Sequence, residues 1–151
     1  GDLNNLGHLL SKQGRFAESE PLLRQAVDAM RARRSPWLPV AQGNLGEVLT
    51  RTGRSAEAAP LLDGALADAL REFGEENQDV AKIRVKYAEC LVRLERPAEA
   101  EAQLKAALPV LEGSLGPGDE LTRRAALLLA GLEAAGGGER TAKRRNGGGA
   151  K

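Results

Sequence analysis

The stretch Asn44–Ala65, NLGEVLTRTGRSAEAAPLLDGA, decides the fold because the chain writes it more than once. Thirty-nine residues earlier stands Asn5–Ala26, NLGHLLSKQGRFAESEPLLRQA. There Leu6, Gly7, Gly14, Arg15, Glu18, Pro21, Leu22, Leu23 and Ala26 precede Leu45, Gly46, Gly53, Arg54, Glu57, Pro60, Leu61, Leu62 and Ala65 in the same order. Forty-two residues later comes a looser copy, Lys86–Ala107, held in register by Arg96, Ala98, Glu99, Ala100, Leu104 and Ala107. Self-similarity at such a period marks a stacked array of small units, none of which can bury its apolar face alone.

Each copy reads as two helices and a tight turn. In the middle copy the first helix is expected from about Pro36 to Arg51, with Ser35 as N-cap and Pro36 at the first helical position, where no intrahelical donor is lost. Gly53 supplies the permissive backbone that ends it. Ser55 is expected to cap the second helix, in which Leu62, Leu66, Ala69 and Phe73 share one face at three- and four-residue spacing. Gly14 plays the same stopping part in the first copy, whose stripe is Phe16, Leu23, Ala26, Val27 and Met30. In the third copy Glu95-Arg96-Pro97 makes the turn without glycine, and the stripe is Ala100, Leu104, Ala107, Leu108 and Leu111. Small residues recur where the two helices of a unit must approach: Gly7, Gly46 and Ala88 on one, Ser19, Ala58 and Ala100 on the other. Larger side chains there would force the pair apart, at a typical cost of about 1–3 kcal/mol.

With this pattern the chain resembles the tetratricopeptide repeat family, and the 42-residue spacing with its Asn-Leu-Gly opening looks most like the kinesin-light-chain type of repeat. The resemblance covers about residues 2–135. It implies an all-α fold: an α-solenoid of antiparallel helix pairs, a right-handed superhelix with a concave groove, that binds other proteins and is not a catalyst. Units are expected at about 2–33, 36–73 and 77–115, with a last helix over 119–135 and a flexible tail over 136–151. The third turn departs from the family, since Glu95 stands where glycine is usual, and the last unit lacks its second helix.

Composition agrees. Only 3% of residues are aromatic, so burial must come from Leu, Ala and Val, which suits helix packing better than a β-sandwich. One cysteine, Cys90, cannot form an internal disulfide, and on its apolar stripe it reads as a buried inert thiol. No run suits a bilayer span and no signal peptide is visible. An intracellular, soluble protein is expected, cytoplasmic, or organellar if a targeting segment was removed. The first helix opens inside a repeat, with an apolar flank that Leu3, Leu6 and Leu10 do not close, so more protein is expected before Gly1. Trp37, the sole tryptophan, reads as a plug between neighbouring units. Asn77 or Asp79 can cap the helix of about 78–94, whose core face should be Ile83, Tyr87, Cys90, Leu91 and Leu94. Asp119 can cap the last helix, where Leu127-Leu128-Leu129 leaves apolar surface for another protein.

From Gly136 the composition shifts to glycine tracts and cations, which cannot bury apolar area. The tail carries five basic residues and one acidic, a charge of +4, against 17 basic and 20 acidic in the body, a charge of −3. Its cluster Lys143, Arg144 and Arg145 could dock on an acidic neighbour or contact nucleic acid. A net charge of +1 and the scarcity of stacking aromatics argue against nucleic acid.

Catalytic constellations are missing. His8 is the only histidine, which removes histidine–cysteine dyads, most zinc sites and the serine triad. No phosphate-binding glycine loop precedes a helix. No cofactor, metal or small-molecule substrate is implied. In stacked helix pairs the first helices line the concave wall. Its rungs are Asn4, Asn5, His8 and Lys12, then Gly43, Asn44, Glu47 and Arg51, then Val85, Lys86, Glu89 and Arg93, with Lys82 and Arg124 an earlier turn on their helices. The candidate partner-binding residues are therefore Asn5, His8, Asn44, Glu47, Arg51, Lys82, Lys86, Glu89 and Arg124. This is similar in part to the two-carboxylate clamp of some tetratricopeptide domains. Asn44, Lys82 and Lys86 match three clamp positions, while Asn4 and His8 stand where the family has lysine and asparagine. Amides and lysines on a rigid wall can hydrogen-bond an extended backbone and attract acidic side chains. The expected function is a non-catalytic module holding an extended acidic segment of a partner protein. The alternative is a structural subunit of a large assembly, docking through its convex face, last helix and basic tail. On a plain helix surface Lys82, Lys86 and Glu89 would merely pair with one another.

Overall fold

The structure is a computed structural model that describes residues 2–146, with side-chain surroundings described up to residue 138. Among the described residues there are seven helices and no strand. They are α1 (Asp2–Lys12), α2 (Phe16–Ala32), α3 (Leu38–Arg51), α4 (Ser55–Phe73), α5 (Gln78–Arg93), α6 (Pro97–Ser114) and α7 (Glu120–Asn146). Successive helices pack on one another, and the first helices also touch laterally, α1 on α3 and α3 on α5. One apolar core runs through the stack, from Leu23 and Val27 through Leu45, Leu62 and Leu91 to Leu104, Ala125 and Leu129. The chain is a helical solenoid.

The repeated small residues are where the hairpins close. A Cβ built on Gly46 would lie 2.5 Å from Leu62 Cγ, and one on Gly7 would lie 2.8 Å from Leu23 Cγ. Opposite Gly7, Ser19 is fully buried and its hydroxyl donates to the Gly7 carbonyl at 2.6 Å. Ala58 and Ala100, at the same register, are also fully buried. The hairpin turns need one left-handed residue each: Gly14 (φ 76°), Gly53 (φ 83°) and, in the third copy, Glu95 (φ 58°). Glu95 adopts this conformation at a steric cost of about 1–2 kcal/mol that glycine avoids. Asn77 caps α5, its side chain accepting from the Asp79 and Val80 N–H groups, and Asp119 caps α7 by accepting from Leu121 and Thr122.

Four expectations need correction. The third helix starts at Leu38, because Ser35 spends its hydroxyl on the Trp37 N–H at 3.3 Å and closes a separate turn ahead of the helix. Ser55 is the first residue of α4, not its cap; Arg54 takes the cap position, and its side chain bonds the Glu57 carboxylate rather than capping a backbone N–H. Trp37 does not plug two units. It packs on Phe73 of its own hairpin, ring centroids 5.2 Å apart, and stays 53% exposed. Finally, α7 does not stop at Ala135 but continues to Asn146. Neither a proline nor a left-handed residue breaks it there, and Glu139 to Arg145 are mostly good helix formers. Lys143, Arg144 and Arg145 lie on this extension, and their side chains fall outside the described ones.

Candidate functional site

The first helices of the successive units present one face to a cleft of about 410 Å³. Helix α1 contributes Asn4, Asn5, His8 and Lys12, α3 contributes Asn44 and Glu47, α5 contributes Lys82 and Lys86, and α7 contributes Arg124. Of the nine candidate residues, Arg51 and Glu89 alone lie outside it. They line an adjoining cleft of about 600 Å³ with Phe16, Val92, Arg93 and Leu128, and Arg124 borders both. Residues from three repeat copies are thereby brought onto one surface.

Several of these side chains are already occupied. Lys86 is buried, as are Asn44 and Glu47. The Lys86 ammonium donates to Asn44 Oδ1 and lies 3.2 Å from Glu47 Oε2. The Asn44 amide in turn donates to Asn4 Oδ1 at 3.0 Å. A polar ladder therefore crosses α1, α3 and α5 beneath the cleft, and both ends of the Asn44 amide are engaged in it. Arg51 Nε stands 3.6 Å from the other Glu47 oxygen. Burial pushes the Glu47 carboxyl up, but Lys86, Arg51 and His8 together hold it below the usual carboxylate value. Burial lowers Lys86, and Glu47 only partly restores it. We take the pair as charged, because each partner supplies the counter-ion the other needs.

Arg124 and Glu89 form a second pair, Nε to Oε1 at 2.8 Å. The Arg124 N–H makes no hydrogen bond, so this contact is an ion pair out of line with the oxygen. Burial raises Glu89 more than Arg124 lowers it. Lys82 reaches Asp79 at 3.5 Å and keeps about a third of its side chain exposed. Lys12 is exposed and has no ion pair among the described residues. The rim that remains available is therefore Asn5, His8, Lys12 and Lys82, a narrower set than the nine candidates. Lys12 belongs to it by helical spacing, one turn after His8, and its place in the wall was readable for that reason.

His8 reports the field in the cleft. Its ring is partly buried, and its Nδ1 is buried without a hydrogen-bond partner. Its pKa falls to about 4, first through burial and then through Lys86, with Lys12 and Lys82 pushing the same way and Glu47 alone opposing. At the His8 ring the three lysines outweigh Glu47 and the imidazole is neutral at pH 7, while Asp79, Asp119 and Glu120 line the same cleft. The unfolded chain binds a proton on this ring near pH 6.5 while the folded chain does not until about pH 4. Stability must therefore rise with pH across that window and fall as pH drops through it. His8→Gln is expected to flatten the pH 4–6.5 limb of a urea-unfolding series by about 1–2 kcal/mol, a figure reduced for partial solvent screening. An unchanged limb would mean the ring is not held neutral.

On α7, Leu129 is buried, Leu128 half-buried and Leu127 exposed, so the apolar run is covered on one side only. Cys90 is fully buried and its thiol donates to the Ser55 carbonyl at 3.3 Å. Burial raises its pKa, in keeping with an inert thiol. No group of metal-ligating side chains occurs among the described residues, and no described helix is long and apolar enough to cross a membrane.

Comparisons with known proteins point the same way as the geometry. The model of the family described as "Tetratricopeptide repeat" matches residues 3–69 and again 37–113. Among solved structures, the chain is similar to BtubC (BKLC) from P. vanneervenii, with a TM-score of 0.71 at 25% identity over 88% of this chain. The chain spans about 54% of the length of that protein. No curated protein matches it. Stacked hairpins, the spacing of the copies and the family match agree: the chain belongs to the tetratricopeptide repeat family, with repeats of the kinesin-light-chain type.

Proposed function

We propose that the chain is a non-catalytic module that holds an extended acidic segment of a partner protein along the concave wall of its first helices. The observation that carries this reading is the electropositive field at His8. Three lysines act on one partly buried imidazole, and two of them, Lys12 and Lys82, stand at the rim. An acidic side chain laid there gains their attraction without disturbing the ladder below. Lys86 and Asn44 serve as the floor that keeps the wall rigid, and Asn5 is placed to meet the segment's backbone. The exposed Leu127 favours a second reading, in which the last helix docks the module into a larger assembly.

The test uses the sole imidazole as its sensor. A blocked, extended peptide of alternating glutamate and serine is titrated against the chain while the His8 ring protons are followed by NMR. A bound carboxylate must raise the His8 pKa above about 4, since proton binding and peptide binding are reciprocal. Lys12→Glu with Lys82→Glu is expected to weaken capture at least tenfold, about 1.4 kcal/mol, with the helical circular dichroism unchanged. Equal binding by the double variant, or by a matching lysine–serine peptide, would sink the proposal. Lys86 is excluded from this test, because removing it strikes the fold.

A further inference from the structure

The first helices run parallel, because equivalent turns of successive ones are joined: Asn44 bonds Asn4, and Lys86 bonds Asn44. A parallel array sorts charge by position along its helices. Acidic residues open α1, α5 and α7, at Asp2, Asp79 and Glu120. Basic residues close α1, α3 and α5, at Lys12, Arg51 and Arg93. Charges so placed complement each helix dipole. With the ends aligned, they also draw two lips of opposite sign along the concave wall. Asp79 and Glu120 line the central cleft, and Asp79 with Asp2 lines the cleft beyond it on that side. Arg51 and Arg93 line the adjoining cleft at the other lip.

Most of these lip charges are uncommitted. Asp2, Glu120, Lys12 and Arg93 are exposed and make no ion pair among the described residues. Asp79 has Lys82 at 3.5 Å, and Arg51 has Glu47 at 3.6 Å. At the start of the second helices the charges neutralise one another instead, Arg15 with Glu18, Arg54 with Glu57 and Arg96 with Glu99.

The width of the wall suits one extended chain. From Asp2 to Lys12 the lips stand about 15 Å apart, the rise of α1 between them. A glutamate or lysine on a backbone lying midway reaches either lip, met by the lip's own side chain. Successive side chains of an extended chain point to opposite sides. With one backbone edge on the floor, where Asn5 is placed to meet it, alternate side chains face alternate lips.

Taking the segment to lie along the first helices, as proposed above, we propose that basic residues stand between its carboxylates. Every second side chain is acidic and faces Lys12, Arg51 and Arg93, while the lysines or arginines between them face Asp2, Asp79 and Glu120. From α1 to α7 the wall spans three interhelical spacings of about 9 Å, room for about eight extended residues.

Blocked peptides of that length test it on the intact chain, with the His8 ring protons followed by NMR. Alternating glutamate–lysine is compared with alternating glutamate–serine and with a glutamate block followed by a lysine block. The alternating glutamate–lysine peptide is expected to bind about tenfold tighter than either of the others, because it alone offers each lip its opposite charge. Asp2→Lys with Glu120→Lys should remove that advantage and leave glutamate–serine capture no weaker, with the helical circular dichroism unchanged. Equal binding of glutamate–lysine and glutamate–serine by the native chain would overturn the alternation and leave the acidic segment standing. A block peptide as tight as the alternating one, or a double variant that keeps the preference, would overturn it as well. If none of the peptides moves the His8 ring, the groove reading falls and the alternation falls with it.

Discussion

Replacing Lys86 by methionine is expected to cost about 3–5 kcal/mol of folding free energy, the loss typical when one partner of a buried ion pair is removed. The volume is nearly kept, so the cost is electrostatic. Glu47, buried with its carboxylate 3.2 Å from the Lys86 ammonium, would lose its chief counter-ion and keep only the more distant Arg51. Asn44 Oδ1 would lose its donor at the same time. The variant should also recover stability on acidification. Without Lys86, burial dominates at Glu47 and raises its folded pKa above the unfolded value, so the folded state takes up a proton first and becomes relatively more stable as pH falls. The native pair has the opposite sign: the lowered Glu47 contributes stability above the unfolded pKa and loses it as pH falls through the folded one. Chemical denaturation at pH 7 and pH 5 in a His8→Gln background, which removes the ring's own pH dependence, measures the cost and the recovery; the native Glu47 limb lies lower, below pH 4.5. Adding Glu47→Met to Lys86→Met should return most of the loss, since two well-packed apolar groups can replace a buried pair at little cost. A single variant as stable as the native chain would show that the pair is not buried.

The second large effect is steric. Gly46→Val is expected to destabilise by about 3 kcal/mol, at the upper end of ordinary overpacking. A Cβ at this position would lie 2.5, 2.6 and 3.1 Å from three side-chain carbons of Leu62, which is itself fully buried and has no room to retreat. The helix-propensity gain of about 0.5 kcal/mol or less on leaving glycine for valine does not offset this. Gly64 supplies the control. It lies in α4 with nothing within 4 Å of a built Cβ, so Gly64→Ala should stabilise by about 0.8–1.0 kcal/mol. The cause at Gly46 can be isolated by a cycle with Leu62→Ala. If the clash is the whole effect, the two substitutions together cost less than their sum. Thermal unfolding of the four proteins decides it; strict additivity would place the cost elsewhere.

The hairpins were legible because their determinants are local. Glycine or a glutamate in its place ends each first helix, Asn77 and Asp119 announce α5 and α7, and the small residues at positions 7, 46 and 88 repeat in register. The lateral relations were not. Lys86 reads as a groove cation open to a partner protein, yet it is buried and engaged by Asn44 and Glu47, 42 and 39 residues away on a neighbouring first helix. Helical periodicity separates core from outside within one hairpin; it does not separate the side that meets the next unit from the side that meets water. The same blindness applies to Trp37, whose partner Phe73 is 36 residues on. The end of α7 was missed for a different reason. Composition weighs glycine as a breaker, whereas a glycine run within a helix costs stability without obliging the backbone to turn.

The position of Cys90 gives the molecule a readout of its own motions. It is the chain's only thiol, it is sealed between α5 and the start of α4, and its elevated pKa leaves little thiolate even where it is reached. An alkylating reagent can modify it only while the second and third units stand apart, whether in a local opening or in unfolding of the whole stack, so labelling times that parting.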